Sequence, residues 1–415
     1  MDVGTEKISC AIGSLAYDLD GDEKKRVQGP QIFFAGFGQR ASKGVNIHGV
    51  SEMEVLEDAI LNAVYAAEEA AKRNIKDVYV NIPAHLTQAS RVRVKLSLSG
   101  QTPIQPLHMR KLFSLSQNLS VPKNQILVHV LPFSYSLDEM TNIADPIGMI
   151  GRELSAECYV ITAVQTYVQN LTHCIGRCNL DVAGFVADSY AAGMACLVSD
   201  EAELGATLID IGGKSTQMAC FLGGNLVWLG ALPMGGFHIT TDLARCLSTT
   251  LSQAERLKTL YGSLFLGNQH SAEQVPVTQV GEENSLNMGY VSRQLIVDII
   301  KARVDEILDE VLVQLQSVPH HVDRVVFQKI LLTGGAAQLQ GLADLAEERF
   351  DTKVRFAQQL CVLGADSILQ SPAFSTCAGL LQYAFQNYTG RSLQKRDQKP
   401  LNFWQRVSLW LNEHI

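Results

Sequence analysis

The pattern Asp-x-Gly occurs at the beginning of this chain and again near its middle. The first copy is Asp2-Val3-Gly4, and the second is Asp210-Ile211-Gly212, which follows the apolar run Thr207-Leu208-Ile209. A strand-loop-strand repeated at the start of each half would place two loops opposite each other across a cleft. The repeat therefore predicts two similar halves with a ligand between them.

The size of the chain agrees with more than one core. Its 415 residues exceed an ordinary single domain and suggest roughly two to four domains. Hydrophobic residues make up 47% and charged residues 18%, which is typical of globular proteins. A net charge of -8 argues against nucleic acid as a partner. No apolar run approaches the about 20 residues that a membrane-spanning helix needs.

The nine cysteines are scattered, without zinc-type spacing and without a signal peptide before them. This pattern favours reduced packing residues in a cytoplasmic protein. Cys174 and Cys178 would share one face of a helix, and small buried thiols are the commoner explanation for such a pair than a metal or redox site.

The first half reads as strands over residues 8–12, 32–37 and 77–82, with a helix between the last two. Ser51 and Glu54 have the spacing of a capping box, which predicts that this helix begins near Ser51. Its apolar face would consist of Leu56, Ile60, Ala63, Val64 and Ala67.

Residues 84–156 have a different texture, with short alternating strands around one helical stretch near 107–118. They predict a small α+β insertion that interrupts the first half. Alternation of strands and helices then resumes. The elements expected after the insertion are strands at 159–163, 182–187 and 329–332, and helices at 167–178, 189–198, 293–315 and 338–350.

Two glycine-bearing turns are candidates for phosphate binding. Gly4 permits a tight bend in which backbone N–H groups, the Thr5 hydroxyl and the Lys7 ammonium converge on phosphate oxygens. Gly212 and Gly213 would serve the other side of a phosphate chain in the same way. Polar groups that would help there are Lys214, Ser215 and Thr216.

A third turn, Gly334-Gly335-Ala336, lies between a strand and a helix, and its missing side chains would let a base or ribose approach the backbone. Asp2 and Asp210 are candidates to hold Mg²⁺ through water. Any one of these turns is weak evidence, because Gly-Gly after a strand is more often a plain turn. Their order along the chain is the stronger signal.

That order resembles the phosphate 1, phosphate 2 and adenosine motifs of the actin, Hsp70 and sugar-kinase superfamily. Longer stretches resemble the FtsA family of bacterial cell division proteins over nearly the whole chain. The most specific are Val128-His129-Val130-Leu131-Pro132 and Asp145-Pro146-Ile147-Gly148-Met149. The resemblance implies an α/β, actin-like fold, in which a ribonuclease H-like unit is duplicated and an α+β domain called 1C is inserted. It also implies ATP and Mg²⁺ as ligands.

The resemblance also implies further site residues. Gly236 and the run 254–258 resemble nucleotide-contacting segments, and the likeness assigns Glu255 and Lys258 to ribose or base contacts. On pattern alone, a solvated helical charge pair is the commoner interpretation of Glu255 and Lys258.

The chain departs from the family in two places. Relatives usually continue the second phosphate loop with a third glycine and often an aspartate, where this chain has Lys214 and Gln217. Gln217 cannot act as a carboxylate that orients a metal or water, so ATP hydrolysis is expected to be slow or absent. The hydrophobic strand that normally precedes the first aspartate is missing before Met1-Asp2, so we expect either a shortened first strand or a start further upstream.

The resemblance divides the chain into family domains. Domain 1A would span 1–83 and 157–203, domain 1C 84–156, domain 2A 204–236 and 293–388, domain 2B 237–292, a flexible linker 389–400 and an amphipathic helix 401–415.

The last segment has the spacing of a membrane-surface helix. Its candidate membrane-binding residues are Phe403, Trp404, Arg406, Val407, Trp410 and Leu411. Tryptophan favours the bilayer interface, and nearby cations attract anionic headgroups. Docking of this helix on its own domain is the alternative, but its place after a basic linker favours the membrane, and it resembles the membrane-targeting helix of the family.

By resemblance, the expected function is that of an actin-like, ATP-binding protein that polymerises and anchors FtsZ filaments of the Z ring to the cytoplasmic face of the membrane at the division site. Its expected partners are the FtsZ C-terminal peptide through 2B, other copies of itself, an anionic membrane, and later division proteins through 1C. One alternative is a related scaffold of pilus or secretion systems, against which the amphipathic tail argues. Another is a soluble phosphotransferase, for which the sequence shows no acceptor domain or general base.

Overall fold

The computed structural model describes residues 1–16, 31–117, 121–267, 273–281, 289–319, 326–359 and 368–392. Its strands are β1 Asp2–Val3, β2 Lys7–Ala16, β3 Gln31–Ala41, β4 Val45–Asn46, β5 Gly49–Val50, β6 Asp77–Ile82, β7 Thr87–Ser97, β8 Gln125–Leu137, β9 Met140–Ile143, β10 Glu153–Val164, β11 Asp181–Ala187, β12 Ala206–Ile211, β13 Thr216–Leu222, β14 Asn225–Leu232, β15 Gln274–Val277, β16 Gly289–Ser292, β17 Ile330–Thr333 and β18 Val354–Phe356. Its helices are α1 Met53–Ala71, α2 Pro106–Gln117, α3 Gln165–Arg177, α4 Asp188–Cys196, α5 Ser199–Leu204, α6 Gly236–Cys246, α7 Leu251–Tyr261, α8 Arg293–Gln316, α9 Leu342–Phe350 and α10 Ser375–Ser392.

The two halves share one strand order. In the second half, a sheet runs β14-β13-β12-β17-β18, with β12 antiparallel to β13 and parallel to β17. In the first half, β3-β2-β1 and β11-β6 run in the corresponding directions. The Val3 amide donates a hydrogen bond of 2.6 Å to Asn81 Oδ1 and so joins β1 to β6. The duplication expected from the two Asp-x-Gly motifs is therefore present in the fold.

Helix α1 buries the apolar face that its periodicity predicts, and all five residues of that face lie in the first core. Its predicted start is wrong, because the helix begins at Met53 and no side chain caps it. The amides of Ser51 and Glu52 instead donate to the carbonyl oxygen of Gly44, at 2.8 and 3.2 Å. A backbone carbonyl from the preceding turn thus holds this end, where the sequence suggested a capping box.

The inserted segment forms a separate layer with its own core. Strands β7-β10-β8-β9 make an antiparallel sheet, and α2 packs on it around Leu112 and Phe113. The sheet also reaches the second half, because the Leu229 amide donates to the Tyr159 hydroxyl at 2.9 Å. The sheet to which the insertion contributes is therefore linked to the second half through β10.

Helix α10 packs on the first half, against α4, β2 and β6. Residues up to 388 were expected in the second half, and a linker was expected from 389, whereas the helix continues to Ser392. Its buried face includes Cys377, Ala378 and Tyr383. These side chains join the cores that α4 and β2 form. Burial of this face therefore returns the chain from the second half to the first.

Replacing Gly379 with alanine is expected to lower the free energy of unfolding by about 1–3 kcal/mol, the usual cost of overpacking. A Cβ at this position would lie 1.8 Å from the carbonyl oxygen of Ala191 on α4. Gly176 on α3 is the matched control, since a Cβ there meets no heavy atom within 4 Å. Urea unfolding of both alanine variants measures the difference, and equal midpoints would show that α10 is not packed this closely.

Membrane contact has two separate aspects in this chain. Within the described ranges, no helix has both the length and the apolar character to span a bilayer. The predicted amphipathic helix 401–415, with all six of its candidate membrane-binding residues, lies outside the described residues. Its role stays a prediction.

Candidate functional site

The two Asp-x-Gly loops form hairpins of the same geometry. The Gly4 amide donates to the carbonyl oxygen of Lys7 at 3.0 Å, and the Gly212 amide donates to that of Ser215 at 2.9 Å. In each hairpin, two residues separate the donor from the acceptor. The repeat therefore extends from the strand order to single hydrogen bonds.

A cavity of about 480 Å³ lies between the two halves, within the range usual for small-molecule sites. Both hairpins, α6, α7, the turn after β17 and the start of α10 contribute to its wall. The predicted site residues that line it are Asp2, Gly4, Thr5, Lys7, Asp210, Gly212, Gly213, Ser215, Gly236, Glu255, Lys258, Gly334, Gly335 and Ala336. The fold thus gathers around one cavity residues that are far apart in sequence.

Two predicted residues do not line the cavity. The Thr216 side chain is buried, and its hydroxyl donates to the Met234 carbonyl oxygen at 2.8 Å, so it ties β13 to the segment before α6. Lys214 Nζ lies 3.7 Å from Glu6 Oε1 and 4.8 Å from the centre of the Phe237 ring. Both side chains therefore contact other protein groups and do not face the cavity.

Glycines allow α6 to pack directly on the second hairpin. The amides of Gly236 and Phe237 donate to the carbonyl oxygens of Gly212 and Gly213, at 2.9 and 2.7 Å. A Cβ on Gly235 would lie 2.6 Å from the Gly212 oxygen. The absence of a side chain at Gly235 therefore positions the start of α6 at the cavity.

Glu255 and Lys258 are more than a solvated helical pair. Lys258 Nζ donates to Glu255 Oε2 at 2.7 Å, to Thr240 Oγ1 at 2.9 Å and to the Gly236 oxygen at 3.1 Å. Only 14% of the Lys258 side chain is exposed. The pair therefore fastens α7 to the first turn of α6 on the cavity wall, which pattern alone did not favour.

Three aspartates converge at the cavity floor. Burial, together with the charge of Asp2, raises the pKa of Asp188 to about 8, against the hydrogen bond that Gln217 donates. Burial likewise raises the pKa of Asp210 to about 7 and raises that of Asp2. Lys7 lowers the pKa of both Asp2 and Asp210, and the amino terminus also lowers that of Asp2, so Lys7 is one of the positive charges that compensate this cluster.

Lys7 is held in place by the start of the last helix. Its ammonium donates to the Ala373 carbonyl oxygen and lies 3.7 Å from the centre of the Phe374 ring. Burial lowers the pKa of Lys7, while the charges of Asp2 and Asp210 raise it. The position of this predicted phosphate-binding lysine thus depends on the segment before α10.

Sequence reasoning missed Asp188 and the structural role of Gln217. Gln217 Nε2 donates to Asp188 Oδ2 at 2.8 Å, and Gln217 Oε1 accepts a hydrogen bond of 2.8 Å from the Ala84 amide. Gln217 thereby links the two halves at the cavity floor. The available signal was that Asp188 follows directly after β11, since strand ends in α/β sheets commonly face the ligand.

The carboxyl groups of the cavity wall suit a metal ion that is bound through water molecules. In the part of the chain that the structure describes, no cluster of three or more His, Cys, Asp or Glu side chains could hold a metal ion. Carboxyl groups nevertheless outnumber lysines on the cavity wall, the acids being Asp2, Glu6, Asp188, Asp210 and Glu255 and the lysines Lys7 and Lys258. Oxygen donors of this kind fit Mg²⁺ bound through water.

Comparison with solved structures shows the actin-like fold. A structure of the PilM-PilN type IV pilus biogenesis complex matches with a TM-score of 0.63 and 17% identity, over 92% of this chain and 96% of that chain. MreB 5 of Spiroplasma citri, solved with AMPPNP, matches with a TM-score of 0.52 and 13% identity, over 93% and 98%. At such low identity, these similarities support the fold alone.

Sequence comparison identifies the branch of this fold. The family described as "Cell division protein FtsA" matches residues 207–379, and "SHS2 domain inserted in FTSA" matches residues 85–162. Cell division protein FtsA of Agrobacterium fabrum is 34% identical over 92% of this chain and 86% of its own length. FtsA of Escherichia coli K12 is 27% identical over 100% of this chain and 97% of its own. A duplicated actin-like fold with this insertion, and a curated relative at 34% identity, mean that the chain belongs to the FtsA family of cell division proteins.

Proposed function

We propose that this protein binds ATP with Mg²⁺ between its two halves and anchors FtsZ filaments to the cytoplasmic face of the membrane at the division site. The observation that carries the proposal is the cavity between the two halves, which is bounded by two matched hairpins and a third glycine turn. Membership of the FtsA family favours this function over a pilus or secretion scaffold and over a soluble phosphotransferase.

The cavity supports a division of roles among its residues. The two hairpins would bind phosphates through backbone N–H groups, as glycine-rich loops commonly do. Gly334, Gly335, Glu255 and Lys258 would contact the nucleoside, and Asp2 and Asp210 would orient the water shell of Mg²⁺, which would neutralise phosphate charge. MreB 5 of Spiroplasma citri, which shares this fold, was solved bound to AMPPNP, which supports a nucleotide as the ligand proposed for the cavity.

The contacts of Gln217 at the cavity floor support slow or absent ATP hydrolysis. Gln217 uses its amide nitrogen on Asp188 and its amide oxygen on Ala84. A glutamine side chain cannot accept a proton from the attacking water, and it has no carboxylate to place beside a metal. Binding of ATP, more than its turnover, is therefore the proposed basis of function.

We propose that the FtsZ C-terminal peptide binds to the second half. Large apolar side chains are exposed between residues 251 and 290, and exposed apolar groups often mark protein interaction sites. They are Leu251, Leu260, Phe265, Val280 and Tyr290. Lys301 Nζ lies 5.7 Å from the centre of the Phe265 ring, so a cation borders this surface. We place the peptide here, within the predicted domain 2B.

Other contacts would involve the insertion and the tail. Exposed apolar residues of the insertion are Leu107, Leu115, Met140, Ile147 and Ile150, and we propose this surface for filament contacts and later division proteins. The amphipathic segment 401–415 would bind anionic lipid weakly as a single copy. Polymerisation would then supply the avidity that holds FtsZ at the membrane.

Removing residues 401–415 is expected to abolish recruitment of FtsZ to lipid. The assay is flotation of anionic liposomes with ATP, Mg²⁺, FtsZ and either the full chain or the truncated one. Loss of the two tryptophans and the apolar face should lower the floated fraction at least about tenfold. The control is cosedimentation without lipid, where both forms should bind FtsZ equally. Unchanged flotation of the truncated form would reject the anchor, and absence of FtsZ binding by the full chain would reject the partner.

A further inference from the structure

The tips of the two hairpins carry opposite charges at equivalent positions. Each loop has two residues, and the second is Glu6 in the first hairpin and Lys214 in the second. Glu6 Oε1 and Lys214 Nζ lie 3.7 Å apart. Because the hairpins belong to different halves, this ion pair spans the cleft.

The packing around the pair favours this geometry. The Glu6 side chain lies on the backbone of Gly213, where an added Cβ would be 2.2 Å from Glu6 Cγ. Lys214 is 25% exposed, and its ammonium lies 4.8 Å from the Phe237 ring centre on α6. The pair is therefore seated between the hairpins, unlike a pair of long side chains that meet in open solvent.

The pair differs in kind from the contact at the cavity floor. There, Gln217 links the halves through hydrogen bonds to Asp188 and the Ala84 amide. Gln217 is buried, whereas about half of the Glu6 side chain is exposed. Partly exposed ion pairs are weak and are screened by salt. The cleft would therefore open more easily at the hairpin tips than at the floor.

We propose that Glu6 and Lys214 form a gate across the cleft that slows the binding and release of nucleotide. This inference rests on the nucleotide binding proposed above. Glu6 lines the cavity, so a phosphate chain that passes between the hairpins must pass the pair. The two residues must separate each time nucleotide is released, and the contact at Gln217 would then act as the hinge.

The test measures release of a fluorescent ATP analogue from the full-length protein, with Mg²⁺ and excess unlabelled ATP. Loss of one partly exposed ion pair is expected to raise the release rate about twofold to fivefold in both Glu6→Gln and Lys214→Met. The charge-reversed double variant, Glu6→Lys with Lys214→Glu, should restore slow release. Lys76→Gln, which breaks a 3.8 Å ion pair with Asp181 away from the cavity, should leave the rate unchanged.

The direction of the two single variants decides between a gate and a direct phosphate contact. A gate predicts faster release in both. If Lys214 only bound phosphate, Lys214→Met would release faster and Glu6→Gln would release more slowly, and the gate would be rejected. Equilibrium binding and a thermal melt of each variant separate this result from misfolding. A wild-type protein that binds no nucleotide would overturn both proposals, whereas binding with unchanged release rates would overturn the gate alone.

Discussion

Replacing Gly334 with alanine is expected to cost about 2–5 kcal/mol of folding stability and to abolish nucleotide binding. Gly334 has a φ of +93°, and a Cβ there would lie 2.3 Å from Asp210 Oδ1 and 2.4 Å from the Ile211 carbonyl oxygen. The left-handed backbone disfavours a side chain, and the overlap would push the turn after β17 away from the second hairpin. Because the turn and the hairpin both line the cavity, the variant would displace together the groups that we propose contact the nucleoside and the metal.

The neighbouring glycine provides the matched control. Gly335 has a φ of -64°, and a Cβ there would meet no heavy atom within 4 Å. Gly335→Ala should therefore unfold at the same guanidinium concentration as the wild type. Guanidinium unfolding and titration with a fluorescent nucleotide measure the two expected effects of Gly334→Ala. Equal stability of the two alanine variants would contradict the close approach of Gly334 to Asp210.

Much of the fold follows from local sequence patterns. The period of α1 predicted its buried face, and the apolar run before Pro83 predicted β6 with the observed bounds, Asp77–Ile82. The repeated Asp-x-Gly motif predicted a cleft because it reports the strand order of each half. The long helix α8 was predicted over 293–315 and is observed at Arg293–Gln316. Such features depend on residues close in sequence.

Other features depend on partners that no local pattern specifies. The segment 375–392 contains many apolar residues, but its sequence does not say that α4 covers them. The predicted helix 338–350 begins only at Leu342, after a short 3₁₀ turn, Ala336–Gln338. The turn's neighbour Gln340 accepts a backbone hydrogen bond of 2.9 Å from Leu264, which helps to hold this stretch out of the helix.

The candidate site shows the same division. Glycines and aspartates at strand ends were found from their spacing, because their chemistry is visible in sequence. The orientation of the Lys214 side chain could not be predicted from spacing, since it depends on Glu6 in the other half. The burial of Lys258 likewise depends on Thr240 and the Gly236 carbonyl oxygen. Charge pattern gives the residue types, whereas only tertiary packing decides which group each one contacts.

Replacing Asp188 with asparagine is expected to stabilise the nucleotide-free protein at pH 8 and to have little effect near pH 4. Burial raises the folded-state pKa of Asp188 to about 8, well above the ordinary value of an aspartate. Between pH 4 and 8, the folded protein therefore holds this proton more tightly than the unfolded chain does. The stability that the group contributes is complete below its unfolded pKa and is lost as the pH rises through the folded one.

The size of the effect follows from linkage. One group that is protonated only in the folded state changes the free energy of unfolding by at most about 1.4 kcal/mol per pH unit. Asparagine removes the titrating proton, and its side-chain oxygen can still accept the hydrogen bond from Gln217 Nε2. The variant should therefore gain on the wild type steadily from pH 5 to pH 8, reaching several kcal/mol.

Urea unfolding at unit steps from pH 5 to pH 8, with a chelator present, measures this gain as the difference between variant and wild type. Asp210, whose pKa burial raises to about 7, remains in both proteins, so its contribution largely cancels in the difference. Asp200→Asn is the control for the substitution itself, because Asp200 is exposed on α5 and replacement of an exposed side chain should change the free energy of unfolding little. If the Asp188→Asn difference were constant with pH, Asp188 would be ionised in the folded protein throughout this range. Asp188 would then already carry, at pH 5, the negative charge that its raised pKa of about 8 otherwise withholds, and Mg²⁺ binding would not need to displace its proton.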